Sequence, residues 1–309
     1  MKNKSIKQLM SGLALDFREQ GRQRTSEIYL TAMNCFLRFI GQDDYPVKEI
    51  NHCTIARYEK WMLSRGLSRN TSSFYLRVLR SALNKEVNAL SGTKEKSEIY
   101  MRRDNVRDYF SGVWTGVDKT VKRSLSLSII KDLKSLVLPP GSDLDWARDM
   151  FLMSFYTRGM SFIDMAYLKR GNLKNGHLIY FRQKTGQKLV IRWEKCMQDI
   201  IDRWPKNETP YLMPIITRTD KPDRQQYKDA IRRENTALRH ISRALGLSSS
   251  FTSYSARHSW ATAAYEQNIP VQIISEALGH TSEKMTRIYL KQLDSTTIDS
   301  VNSFIINML

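Results

Sequence analysis

Two stretches toward the C-terminal end concentrate residue types that handle anionic groups. Residues 254–262 read Tyr-Ser-Ala-Arg-His-Ser-Trp-Ala-Thr, and residues 278–290 read Leu-Gly-His-Thr-Ser-Glu-Lys-Met-Thr-Arg-Ile-Tyr-Leu. Upstream lies Arg182-Gln183-Lys184-Thr185-Gly186, a basic segment with a turn glycine. A guanidinium grips oxyanions bidentately. A lysine on a turn can deliver a proton, and a tyrosine hydroxyl can act as a nucleophile once deprotonated. Singly, each residue has a commoner role. One tyrosine among 14 usually packs, a lone Arg257 is a surface ion pair, and a lone Lys184 is a solvated turn lysine. A histidine after Leu-Gly is more often a helix cap. His52, His177 and His240 show no ligand spacing, and Cys35, Cys53 and Cys196 form no Cys-x-x-Cys pair. Neither a metal site nor a disulfide framework is therefore expected.

Taken together, in this order, the segments resemble the tyrosine recombinase (phage integrase) family. Its signature is an arginine, a hairpin lysine, an H-x-x-R-H segment, and L-G-H followed nine residues later by the nucleophilic tyrosine. Tyr289 stands nine residues after His280. The resemblance covers about residues 120–290, and the N-terminal helices are similar to the family's core-binding domain. It implies that Tyr289 attacks a DNA phosphodiester to form a 3′-phosphotyrosyl link. That link conserves the bond energy, so no cofactor, ATP or metal is needed. Arg257 would then stabilise charge on the nonbridging oxygens. Lys184 would protonate the departing 5′-oxygen, and His280 would hydrogen-bond the phosphoryl group or help Tyr289 lose its proton.

Two positions depart from the family pattern. Tyr254 stands where the H-x-x-R histidine is usual, and a tyrosine with a reference pKa near 10 is a poor base at neutral pH. The base role then shifts to His280 or His258, although His258 can equally be a satisfied buried ring. Counting back three from the acidic Asp164 to the first family arginine lands on Ser161. Arg158 lies one helical turn earlier, so the two are expected to share a face, with Arg158 reaching the phosphate from one turn away and Ser161 adding a hydroxyl contact.

These groups need a scaffold, and the hydrophobic periodicity is mostly helical. Thr25 and Thr54 are candidate caps for helices ending near Gly41 and Gly66, and Asn70 or Thr71 opens a third. Arg69, Arg77 and Arg80 lie on or near that third helix, either as a DNA-binding face or as a solvated one. Residues 91–97 read as a loop, and the glycine-bearing stretch 111–123 as a linker. Helices follow at Ser126–Leu136 and from Asp145, with a Met-rich run over 150–165. His177–Arg182 and Lys188–Trp193 form a β-hairpin around Lys184. Helical patterning resumes around 195–204, 226–245, 253–267 and 270–278. Asp294 or Ser295 caps a last amphipathic helix carrying Ile298, Val301, Ile305 and Met308, which packs on its own domain or docks on a neighbour.

The expected fold is mainly α with a small β-sheet. A helical core-binding domain (1–110) and a linker (111–123) precede a mixed α+β catalytic domain (124–309). Of 309 residues, 49 are Lys or Arg and 31 are Asp or Glu, a net charge of +18. Residues 1–117 carry +8 (20 against 12) and the remainder +10 (29 against 19), so both lobes are basic. This suits a polyanion gripped from two sides, where a surface tuned only for solubility is the plainer alternative. A near-average apolar content excludes wholesale disorder, and no apolar run is long enough to span a membrane. Asp16 interrupts the first apolar stretch, against a signal peptide, so the expected location is cytoplasmic, on the bacterial nucleoid when bound. The resemblance implies double-stranded DNA with inverted-repeat half-sites and a homotetramer on that DNA, with accessory proteins unspecified. The compact length favours inversion or resolution, with a mobile-element integrase as the alternative. A non-catalytic DNA-binding protein on the same fold is the further alternative.

Overall fold

The computed structural model describes residues 4–90, 103–118, 124–205, 208–287 and 306. The chain divides into two compact units, Met1–Thr120 and Val121–Leu309. In the first unit the described helices are α1 (Ile6–Glu19), α2 (Gln23–Ile40), α3 (His52–Ser64), α4 (Arg69–Leu90) and α5 (Arg103–Tyr109). The start of α1 is a capping box: Ser5 accepts from the Gln8 amide and the Gln8 side chain returns to Ser5. The Ser-x-x-Gln spacing is visible in the sequence, yet α1 was not among the helices read from periodicity. Ile6, Leu9, Met10, Ala14 and Phe17 form its buried stripe. Two caps differ from expectation. Helix α2 begins at Gln23, ahead of Thr25, and Asn51 caps α3 by accepting from the Thr54 amide at 3.1 Å. The asparagine wins because its side chain lies outside the first turn, where it meets an otherwise orphaned N–H.

The second unit begins with α6 (Leu127–Ser135), α7 (Asp143–Tyr156) and α8 (Phe162–Ala166). A three-stranded antiparallel sheet follows: β1 (Leu173–Lys174), β2 (His177–Phe181) and β3 (Lys188–Arg192). After it come α9 (Lys195–Arg203), α10 (Asp223–Ala244), α11 (Ser255–Glu266), α12 (Val271–Ala277) and α13 (Glu283–Arg287). In the sheet Leu178 pairs with Ile191 and Tyr180 with Leu189, all four facing inward, while Phe181 faces out. The Met-rich run is therefore two helices with a turn between them. Ser142, not Asp145, caps α7, accepting from the Asp145 amide. Among the described residues no helix is long and apolar enough to cross a membrane. The proposed final helix lies outside the described residues, apart from Ile306.

Helix α7 is the axis of this unit, buried without interruption from Asp145 to Ser154. A central helix has no polar face to spare, so its charged residues must be answered internally. Asp149 accepts from Arg148 Nε at 3.2 Å, from Arg203 Nη1 at 3.0 Å and from Trp204 Nε1 at 3.0 Å. Asp145 also binds Arg203, at 2.7 Å, so the pair fastens α9 to α7. Replacing Asp149 by alanine leaves the buried Arg148 with one carboxylate fewer. Asp149→Ala is expected to lower the unfolding free energy by about 3–5 kcal/mol, read as a reduced midpoint in urea titration followed by circular dichroism.

Candidate active site

Arg257, in the first turn of α11, is 2% exposed. Its Nη1 donates to the carbonyl of Gly159 at 2.9 Å, and its Nη2 donates to the Leu278 carbonyl and lies 3.0 Å from His280 Nε2. One guanidinium thus joins three segments distant in sequence: the turn after α7, the first turn of α11, and the turn after α12. The approach is close enough to dictate a residue. A Cβ at Gly159 would lie 2.5 Å from the Arg257 Cα, and Gly159 adopts φ +70. Only glycine meets both conditions.

His280 is 5% exposed, and its Nδ1 lies 2.8 Å from Thr286 Oγ1. Because Arg257 can only donate, Nε2 accepts, and Nδ1 therefore carries the proton toward Thr286. Burial, then the charges of Arg257, Arg182 and Lys184, bring the His280 pKa down to about 4. The ring is neutral at physiological pH and weakly basic, suited to fixed hydrogen bonding and poorly suited to the general-base role. Thr286, fully buried on α13, was not singled out from sequence; its position three before Tyr289 was the available signal.

The hairpin reaches the same turn. Arg182 Nη1 donates to the Gly279 carbonyl at 2.7 Å, so successive carbonyls at 278 and 279 hold separate guanidiniums. Lys184 sits exposed near the hairpin tip, close enough for its charge to act on His280. Asp164 accepts from the Gln183 amide at 2.9 Å and from Ser161 Oγ at 2.6 Å, fastening α8 to the hairpin.

The geometry around the missing first arginine differs from the helical reading. Arg158 and Ser161 do not share a helix face, because Arg158 (φ 61) and Gly159 form a left-handed turn between α7 and α8. Ser161 caps α8 and gives its hydroxyl proton to Asp164, so in this arrangement that proton is not offered to a phosphate. Arg158 still belongs to the same field. Burial foremost, and then Asp164, push the Tyr180 hydroxyl well above its usual range, and Arg257, Arg182 and Arg158 oppose them. Tyr254 is 42% exposed and meets His258 edge-on at 5.3 Å between centroids; His258 is half-buried. Tyr254, Ser161, Ile163, Tyr227 and Arg257 border a cleft of about 170 Å³. Tyr289 lies outside the described residues.

In the first unit Arg69 stacks on Trp114 at 4.2 Å and lies 3.9 Å from Asp118. Arg80 lies 5.9 Å from the centre of the Phe110 ring, and Arg77 Nε donates to the Ser73 carbonyl at 3.4 Å. Arg69 and Arg80 thus hold the chain after α5 against α4, whereas Arg77 bonds within α4 itself. Among the described residues no cluster of three or more His, Cys, Asp or Glu side chains is arranged to hold a metal ion.

The His280 environment carries a pH signature. Its folded pKa, about 4, lies below the usual 6.5, so the unfolded chain takes up the proton first. Its contribution to stability is complete above about pH 6.5 and is lost as the pH falls toward 4. Side-chain ¹H–¹⁵N correlation spectra are expected to show a neutral Nδ1–H tautomer down to about pH 4; titration near 6.5 would contradict the geometry.

Comparison with known proteins follows the two units. The profile of the phage integrase family matches residues 143–296, and that of the phage integrase SAM-like domain matches residues 7–96. The chain is 27% identical over 181 residues to tyrosine recombinase XerA of Pyrococcus horikoshii, covering 57% of this chain and 59% of that protein. To XerA of Thermococcus kodakarensis it is 25% identical over 182 residues, 57% and 60% of the two chains. The chain thus matches about three-fifths of the length of these curated relatives. Among solved structures, a lambda integrase tetramer bound to a Holliday junction superposes with a TM-score of 0.65 at 17% identity, covering 95% of this chain and 80% of that one. The Tn1549 transposon integrase in complex with transposon right end DNA gives 0.63 at 14% identity, covering 98% and 99%. The mainly helical fold with a small sheet is shared with these integrases, and the chain belongs to the tyrosine recombinase (phage integrase) family.

Proposed function

We propose that this chain is a site-specific DNA recombinase that cuts and rejoins DNA through a 3′-phosphotyrosyl link at Tyr289. The observation that carries the reading is the buried contact of Arg257 with His280 Nε2, on a turn nine residues ahead of Tyr289. In the reaction the Tyr289 oxygen forms a bond to phosphorus and the bond to the 5′-oxygen breaks. The tyrosine proton leaves to His258 or water, and the 5′-oxygen takes a proton from Lys184. Arg257 answers the charge that rises on the nonbridging oxygens, and the neutral His280 ring holds Arg257 in place. Tyr254, exposed beside the cleft, offers its hydroxyl to a phosphate oxygen. Asp164 fixes the hairpin that carries Lys184. Reversal of the step onto a different 5′-hydroxyl rejoins the strand without cofactor or energy source.

Residues 1–110 then serve as a core-binding arm, with Arg69, Arg77 and Arg80 toward the phosphate backbone, joined through 111–123 to the catalytic part at 124–309. Four protomers on two duplexes with inverted half-sites complete the assembly, and the final segment docks head-to-tail on a neighbour. Inversion or resolution is the favoured outcome. Integration of a mobile element uses the same chemistry and differs in where the two sites lie.

Two substitutions test the chemistry on the duplex that the full chain selects from a random pool. Tyr289→Phe is expected to retain binding and to abolish covalent attachment to DNA, read on denaturing gels. A wild-type chain that binds but never attaches would instead be a non-catalytic DNA-binding protein. Lys184→Ala is expected to slow cleavage of ordinary DNA by about 10²–10⁴-fold and to regain most of the rate on a bridging 5′-thiolate, whose leaving group needs no proton. Equal losses on both substrates would remove Lys184 from the acid role.

A further inference from the structure

Arg182 is the feature that the reaction just described leaves without a task. It projects inward from the end of β2, 4% exposed, and its Nη1 rests on the Gly279 carbonyl at 2.7 Å. Its Nε is fully buried and has no hydrogen-bond partner among the described residues. Among those residues no carboxylate lies within ion-pair distance of it. A buried arginine of this unit away from the site makes the contrast. Arg148 also lies in the interior and is answered by Asp145 and Asp149. A guanidinium withdrawn from water without a counter-ion is costly, and one carbonyl does not repay the loss of hydration. Such a charge is retained where a transient anion completes it.

The position of that anion follows from the neighbours. Arg182 and Arg257 bind successive carbonyls of one turn, and Gly279 (φ +64) has no Cβ that would push against the Arg182 Cδ, 3.3 Å from where one would stand. Lys184 is two residues away on the same hairpin. The place where the first family arginine is usual holds Ser161, whose hydroxyl is engaged with Asp164. We propose that Arg182 is a catalytic residue of this chain, supplying from the hairpin the second guanidinium that contacts a nonbridging oxygen of the scissile phosphate. Its charge acts with Arg257 on the oxygens as the tyrosine–phosphorus bond forms and the bond to the 5′-oxygen breaks. The inference rests on the recombinase reading of the site. It assigns to Arg182 what the sequence spacing had assigned to Arg158, which sits half-buried on its left-handed turn.

The test replaces the scissile phosphate of the selected duplex by a methylphosphonate, which removes the negative charge that a guanidinium would answer. With ordinary DNA, Arg182→Gln is expected to cut about 10²–10³-fold more slowly than wild type, and on the methylphosphonate most of that deficit should vanish. Arg182→Lys should lie between, since it keeps the charge without the fork. An equal deficit on both substrates would overturn the proposal and leave Arg182 as a positioning residue of the hairpin. Rescue of Arg158→Gln in place of Arg182→Gln would overturn it in favour of Arg158. A second measurement needs no turnover. Single methylphosphonates scanned along the duplex should weaken wild-type binding about tenfold at the scissile phosphate and weaken Arg182→Gln, which keeps only Arg257 there, markedly less at that position. If wild type never attaches to DNA, the recombinase reading fails, and this scan still decides whether Arg182 holds a phosphate; a position-independent response would say that it does not. Unchanged circular dichroism of both Arg182 variants separates either result from misfolding.

Discussion

A buried guanidinium obliges the chain around it to supply acceptors, and Arg257 imposes that demand on two separate segments, the turn after α7 and the turn after α12. Its partners are the carbonyls of Gly159 and Leu278 and the ring of His280. None is a neighbour in sequence, so the bonds close only when α7, α11 and α12 have packed. The site is accordingly a product of the core of the second unit. The Cβ-free approach of Gly159 and the left-handed turn around it are local consequences of bringing that backbone onto Arg257.

The same demand explains the electrostatics. Arg257, Arg182 and Lys184 all act on His280, and Arg257, Arg182 and Arg158 all act on Tyr180. Positive charge converges on one turn while the nearby carboxylate, Asp164, is turned to the Gln183 amide and the Ser161 hydroxyl. Elsewhere in this unit the fold answers its buried arginine with carboxylates, as at Arg148. The imbalance near residue 279 is what a phosphodiester would relieve, and it fits a chain whose two halves are each strongly basic.

Much of this was legible in the residues themselves. The order of Lys184, Arg257, His280 and Tyr289 carries the family resemblance that implies phosphoryl transfer, and the period-2 runs on either side of Lys184 fold as the hairpin they suggest. What stayed hidden depended on long-range packing. Nothing in Arg-Gln-Lys-Thr-Gly distinguishes a solvated arginine from one held on the carbonyl of residue 279. The reading of Arg158 and Ser161 as one helical face failed because a Cβ-free residue at 159 allows a turn that periodicity does not register. That His280 is poorly suited to the base role suggested by the sequence was equally out of reach, since its lowered pKa comes from burial and from cations brought together by folding. Thr286 gained its meaning only once its hydroxyl was seen beside His280 Nδ1.

The proposed reaction turns on one covalent bond, between Tyr289 and a DNA 3′-phosphate. Trypsin cuts after Arg287 and Lys291, so the peptide Ile-Tyr-Leu-Lys reports on that bond directly. After trapping on a nicked duplex and digestion with nuclease and trypsin, mass spectrometry should find a 3′-nucleotide attached to this tetrapeptide. A nucleotide on any other peptide, or an unmodified Ile-Tyr-Leu-Lys from protein that has demonstrably bound and been given time to cut, would contradict it.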